Sequence, residues 1–222
     1  MVKNFANQEL VKQLKLYAVS DRRWLKQNGY DIYTAIEEAI KGGITILQLR
    51  EKDLNYEDFL KEAIEVKKIT TKYGVPLIIN DNVEVAIESD ADGLHLGQED
   101  LIGKNVQEIR KRFGEHKIIG LSANTLEEAL KAEQLGADHL GIDTPFSTKT
   151  KLDAKNASFE NMKKITESVK IPCTAIGGIK KENIPLLAQT GIVGVAVVSA
   201  IFGEKDILQA TKELADVVNK NF

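Results

Sequence analysis

Short aliphatic and β-branched runs alternate with longer amphipathic, charged segments along the chain. The runs predict strands at Leu16–Val19, Thr45–Leu49, Leu77–Ile79, Leu94–Leu96, Ile118–Leu121, His139–Ile142, Thr174–Ile176 and Val195–Val198. Helix-like stretches between them include Tyr56–Lys72, Val106–Phe113, Leu126–Gln134, Phe159–Val169 and Ile207–Val218. In Leu126–Gln134, Leu126, Ala129, Leu130 and Ala132 recur near helical spacing, with Asn124-Thr125 ahead as a candidate N-cap. The strand runs are continuously apolar and do not alternate in and out. That is the pattern of parallel strands covered on both faces.

Eight strand–helix units in 222 residues come to about 28 residues each, the size of a βα repeat. An internal echo supports the count. Gly43-Ile44-Thr45, Ala91-Asp92-Gly93, Gly136-Ala137-Asp138 and Gly191-Ile192-Val193 enter strands by similar helix-stop chemistry, about every two units. Pro76 and Pro172 sit just ahead of the third and seventh strands, where a missing amide donor is tolerated. No Ser/Gly run marks a linker. The expectation is one α/β domain over residues 1–222, a single (β/α)8 barrel, with 1–14 as an N-terminal helical extension; the sequence does not decide whether Gln8–Lys15 is a helix plugging its bottom. An open doubly wound sheet competes, because sequence does not reveal whether the last strand pairs with the first.

Composition narrows the class. At 43% hydrophobic and 28% charged residues, the chain has the makings of a core and is not disordered. Its 30 basic and 33 acidic residues give a net charge of −3, which argues against broad electrostatic capture of nucleic acid but leaves a local basic pocket open. The lone Cys173 fits a reducing compartment and reads as a buried small hydrophobe. The N-terminus lacks a signal-peptide pattern, and the apolar stretch Ile192–Phe202 is too short to span a bilayer. The expected location is cytoplasmic, with no membrane partner.

Polar residues gather at the strand C-termini, the active face of such a barrel. Gln48, Arg50 and Lys52 alternate out of the second strand and can project into one pocket, where two cations and an amide suit an oligoanion. A surface charge cluster with Glu51 and Asp53 is the competing reading. Asp81 and Asp100 follow neighbouring strands, so barrel closure would bring together two carboxylates suited to Mg²⁺. For Asp81, capping of the next helix competes. Gly177-Gly178 and Ser199 follow strands seven and eight, the usual phosphate site of this architecture, and a plain tight turn competes there. The long Asp143–Ala157 loop, with Ser147-Thr148-Lys149-Thr150-Lys151, suits a ligand clamp or a surface excursion. His95 and His139 read as core histidines with satisfied hydrogen bonds, and no histidine pair has zinc spacing.

Gln48-Leu49-Arg50-Glu51-Lys52, Ile79-Asn80-Asp81, Gly93-Leu94-His95-Leu96-Gly97-Gln98-Glu99-Asp100, Ile119-Gly120-Leu121-Ser122, Phe146-Ser147-Thr148-Lys149-Thr150-Lys151, Ile176-Gly177-Gly178-Ile179 and Val197-Val198-Ser199-Ala200-Ile201 together resemble the thiamine-phosphate synthase family, in family order from about residue 15 to 205. The resemblance implies a TIM barrel and a Mg²⁺-dependent transferase of thiamine biosynthesis. Such an enzyme joins hydroxymethylpyrimidine diphosphate to thiazole phosphate and releases diphosphate. It further implies that Gln48, Arg50, Lys52, Asn80, Ser122 and Lys151 hold the pyrimidine diphosphate, and that Asp81 and Asp100 bind Mg²⁺. Thr148, Thr150, Gly178, Val198 and Ser199 would hold the thiazole phosphate, and Arg50, Lys52, Ser122 and Lys151 would be catalytic. The implied partners are small phosphorylated molecules, and the oligomeric state is left open between monomer and homo-oligomer.

Two positions depart from the family pattern. Asp143-Thr144 stands where Gly-Pro is usual, which puts a carboxylate near a site meant for anions, and Asn124 stands where His is common. A related thiazole tautomerase and a non-catalytic phosphate-binding protein are the competing functions. Asn124, with the full diphosphate and Mg²⁺ set, favours the synthase.

Overall fold

The computed structural model describes residues 7–146 and 158–222. Eight parallel strands follow one another around a closed barrel: β1 Leu16–Val19, β2 Ile46–Leu49, β3 Leu77–Asn80, β4 Gly93–Leu96, β5 Ile118–Ser122, β6 His139–Asp143, β7 Cys173–Ile176 and β8 Gly194–Val197. β8 pairs with β1, placing Leu16 opposite Val195 and Tyr17 opposite Ala196, which rules out the open sheet. The fold is a single (β/α)8 TIM barrel. Every expected strand is present within a residue or so of its bounds. Thr45 falls just before β2, its hydroxyl accepting from Leu16 N–H at 2.9 Å and donating to Gln13 O at 2.6 Å.

The expected helices appear as Tyr56–Tyr73, Val106–Phe113, Leu126–Gln134, Phe159–Ser168 and Ile207–Asn221. Thr125, and not Asn124, caps Leu126–Gln134. Its hydroxyl accepts from Glu128 N–H, and the Glu128 carboxylate accepts from Thr125 N–H in return. Two helices, Arg22–Asn28 and Ile32–Gly42, fill the connection between β1 and β2. Trp24 lies in the first of them and packs against the core.

Strand phase divides the core in two. Leu16, Ala18, Leu47, Leu49, Leu77, Ile79, Leu94, Leu96, Ile119 and Leu121 belong to the large cluster under the helices. Tyr17, Val19, Ile46, Ile78 and Ala196, one residue out of step with the outward sets, form a second cluster inside the barrel. Leu10 and Leu14, 2% and 0% exposed, join that inner cluster from the Gln8–Gln13 helix and its C-cap, so the N-terminal helix does close the bottom. Each such leucine contributes about 1.5–3 kcal/mol by leaving water. Cys173 is buried, as expected. Among the described residues, no helix is long and apolar enough to cross a membrane.

Candidate active site

Ascending the barrel interior, the inward positions turn from apolar to polar. Ile46 gives way to Gln48 and then Arg50, and Ile78 to Asn80; a cavity of about 510 Å³ opens above them. Gln48, Arg50, Lys52, Asn80, Asp81, Asp100, Ser122, Gly178, Val198 and Ser199 all line it. Thr148, Thr150 and Lys151 lie outside the described residues. The structure thus brings together every expected site residue that it describes.

The cations are tethered on one side of the mouth. Arg50 N–H donates to Ser20 Oγ at 2.9 Å, and its guanidinium lies 3.5 Å from Asp21 Oδ2. Burial pushes the Asp21 carboxyl up, but hydrogen bonds from Arg23 and the charges of Arg23 and Arg50 outweigh it and hold the carboxyl below its usual range. The Lys52 ammonium makes a short ion pair with Asp81. Gln48, deeper and buried, donates from Nε2 to Tyr17 OH at 2.9 Å.

Asp81 does not cap the helix that follows it. Asn82 takes that role, accepting from Val85 N–H at 3.0 Å, while Asp81 sits at φ 63°, a left-handed conformation uncommon outside glycine. Its N–H donates to His95 O at 2.9 Å, which turns its side chain toward the cavity mouth and Asp100. Burial raises the Asp81 carboxyl, and Lys52 together with a hydrogen bond to Asp100 brings it below the usual value. Asp100 is pushed up instead, first by burial and then by Asp81, and its Oδ2 accepts Gly97 N–H at 3.1 Å. Among the described residues no group of three or more His, Cys, Asp or Glu could hold a metal ion, so any cation here rests on two carboxylates plus oxygens from elsewhere. Mg²⁺ accepts that arrangement, since it commonly keeps its waters and takes substrate phosphates.

Opposite, Gly177 and Gly178 take φ 109° and 61°, a backbone that L side chains rarely adopt. Thr144 Oγ1 holds Gly177 O, and Asn183 Nδ2 holds Gly178 O at 3.0 Å, so the turn presents a fixed backbone to the cavity. Val198 precedes, and Ser199 opens, a short helix on the same rim.

Tyr17 and Gln98, assigned no role from the sequence, also line the cavity. Asn124, Asp143 and Thr144, the departures from the family pattern, line it as well. His95 is not a plain core histidine: it faces the cavity, with Nε2 3.1 Å from Ser122 Oγ. His139 is fully buried, yet neither ring nitrogen has a geometrically acceptable hydrogen-bond partner, contrary to the expectation of satisfied bonds. Cross-strand register is what turns Tyr17 and His95 inward, since His95 pairs with Asn80 and Tyr17 with Ile46.

Comparisons with known proteins agree with this geometry. The family model described as thiamine monophosphate synthase matches residues 16–201. The thiamine-phosphate synthase of Clostridium acetobutylicum is 46% identical over 207 residues, covering 93% of this chain and 96% of that protein. That of Clostridioides difficile is 49% identical over 200 residues, covering 90% and 93%. Among solved structures, thiamine phosphate pyrophosphorylase from Pyrococcus furiosus superposes with a TM-score of 0.86 at 38% identity, over 96% of this chain and 99% of that one.

Proposed function

The chain belongs to the thiamine monophosphate synthase family and is a transferase that makes thiamine phosphate; we propose that it does so by joining hydroxymethylpyrimidine diphosphate to thiazole phosphate with release of diphosphate. The observation that carries the detailed reading is the juxtaposition of Lys52 with the Asp81–Asp100 pair beside Gln48, Arg50 and Asn80 at one cavity mouth. An oligoanion needs several donors and cations, and few other ligands would use a carboxylate pair at the same spot.

In this reading, Gln48, Arg50, Lys52, Asn80, Ser122 and Lys151 hold the pyrimidine diphosphate. Thr148, Thr150, Gly178, Val198 and Ser199 hold the thiazole phosphate. Asp81 and Asp100 would hold Mg²⁺, and the donor chemistry fits: two hard oxygens whose mutual repulsion already disfavours ionisation of Asp100. When bound, the ion would supply charge neutralisation to the departing diphosphate. Arg50, Lys52 and Lys151 stabilise the negative charge that grows on the leaving oxygens. The aminopyrimidine is electron-rich enough to carry the resulting cation until the thiazole nitrogen attacks. No enzyme nucleophile is required, and rate enhancement comes from positioning and electrostatics.

The same reading takes residues 1–222 as one domain, with 1–14 as its helical extension. It places the enzyme in the cytoplasm, acting on small phosphorylated molecules without nucleic-acid or membrane partners, and leaves self-association to be measured. The deciding experiment follows diphosphate release with both substrates, with and without Mg²⁺. Release that requires both substrates and the ion is expected. Turnover of thiazole phosphate alone in chelator, with no diphosphate formed, would overturn the proposal.

A further inference from the structure

Behind the strand end that carries Arg50 and Lys52, on the side facing the helices, lies a buried charge cluster with no part in the chemistry above. Arg22 Nε donates to Glu51 Oε2 at 2.9 Å, and Arg22 Nη2 donates to Glu62 Oε2. The Glu51 and Glu62 side chains are 1% and 8% exposed, so one guanidinium faces two carboxylates almost out of water. The remaining oxygens, Glu51 Oε1 and Glu62 Oε1, are both buried with no hydrogen-bond partner. Two ionised carboxylates can only accept, so neither can satisfy the other. A single proton changes this: it turns one oxygen into a donor and removes the surplus buried charge.

Electrostatics point the same way. Burial pushes Glu62 up, Arg22 pulls it down, and the adjacent Glu51 charge raises it again, to about 7. The charged and titratable groups around it are Arg22 from the Arg22–Asn28 helix, Tyr33 from Ile32–Gly42, Glu51 from the end of β2, and Glu65 on the same helix as Glu62. Glu51 stands between Arg50 and Lys52, so whatever fixes its side chain outward fixes theirs inward.

We propose that Glu62 carries a proton against the Glu51 carboxylate over Arg22, and that this carboxyl–carboxylate pair is a positioning device for Arg50 and Lys52. The proposal rests on the reading of those two cations as diphosphate ligands. Above neutrality the pair loses its proton, two anions are left on one guanidinium, and the strand end loosens. KM for the pyrimidine diphosphate should then rise roughly tenfold over about two pH units, the limit that a tenfold difference in proton affinity between free and substrate-bound enzyme sets, with a smaller change in kcat.

The test compares the parent enzyme with Glu62→Gln and Arg22→Lys by KM and kcat against pH, and by infrared difference spectroscopy of the carboxyl stretch. A protonated-carboxyl band in the parent near neutrality, lost in Glu62→Gln together with the alkaline rise in KM, is expected. Arg22→Lys, which keeps the charge but loses the fork, should raise KM at every pH. Absence of the band, or a Glu62→Gln profile that rises as the parent's does, would overturn the proposal. Should Glu62→Gln fail to fold, Glu51→Gln places the same isosteric amide on the other partner and is read in the same way. Unaltered pyrimidine diphosphate binding in Arg50→Ala would instead sink the functional reading, while the infrared band still reports on the pair.

Discussion

Asn124 and Asp143 are bonded to each other twice, across the tops of β5 and β6: Asn124 Nδ2 donates to Asp143 Oδ2 at 2.8 Å, and Asp143 N–H donates to Asn124 Oδ1 at 2.9 Å. The two departures from the family pattern are therefore one feature. The Asp143 carboxylate, at the cavity wall, is held by the Asn124 amide, and Asn124 O in turn accepts Asn161 Nδ2 at 2.9 Å. Bonds to a charged group are worth about 1.5–3 kcal/mol each. Asn124→Ala and Asp143→Ala should each destabilise, and the double variant should cost about 1–3 kcal/mol less than their sum. Urea unfolding of the four proteins measures this, and strict additivity would show the pair to be uncoupled. Because β6 leads into the segment carrying Thr148, Thr150 and Lys151, both single variants should also raise KM for thiazole phosphate.

Much of this was open to reading in the chain, and the exceptions have physical causes. Continuous apolar runs marked all eight strands because both faces of each are buried. The same property hid their phase: between Leu94 and Leu96, nothing local says that His95 faces the cavity. Arg50, Lys52 and Asp81 were legible since charge at a strand end has few structural uses. The Arg22–Asn28 helix was not, because its first turn, Arg22-Arg23-Trp24, offers no apolar stripe and Asp21 caps it by a local bond to Arg23 N–H. The Asp81–Asn82 capping choice turns on a left-handed backbone that residue type alone does not announce.

The carboxylate pair should respond to Mg²⁺ and to substitution in opposite senses. Burial and Asp81 both disfavour ionised Asp100, so Asp100→Asn should leave the metal-free protein as stable as the parent or slightly more so. In the parent, Mg²⁺ at about a hundredfold its Kd should stabilise by about 2.7 kcal/mol. Thermal unfolding with and without the ion should show that gain, and Asp100→Asn should lose most of it. An equal gain in both proteins would remove Asp100 from the metal site.

Tyr17 is the floor on which Gln48 rests. Burial raises its pKa, against a smaller lowering by Gln48, so the hydroxyl stays protonated while it accepts the Gln48 amide. Tyr17→Phe keeps the ring's packing but strands a buried N–H, at a cost of about 1–3 kcal/mol. The amide would then be free to rotate away from its place in the cavity wall. KM for the pyrimidine diphosphate should rise about tenfold, by the ~1.4 kcal/mol that one such bond is worth, with kcat affected less. An unchanged KM would mean that Gln48 is held by its other neighbours.

His139 fills the barrel axis with its ring 5.5 Å from that of His95 and 6.0 Å from that of Tyr17. Gly120 makes room for it, since a Cβ there would overlap both imidazoles. Burial, reinforced by His95 and offset in part by the nearby Leu140 backbone, lowers the His139 pKa to about 3. The unfolded chain takes up its proton near 6.5 and the folded chain does not, so between those values the unfolded state binds more protons. Stability should therefore fall as pH drops from 6.5 toward 3, with a slope of at most about 1.4 kcal/mol per pH unit from this residue. Denaturation midpoints against pH, for the parent and His139→Phe, isolate that slope. Imidazole NMR resonances report the protonation directly, and a His139 signal that titrates near 6.5 in the folded protein would show that the ring is solvated and that the acid sensitivity has another source.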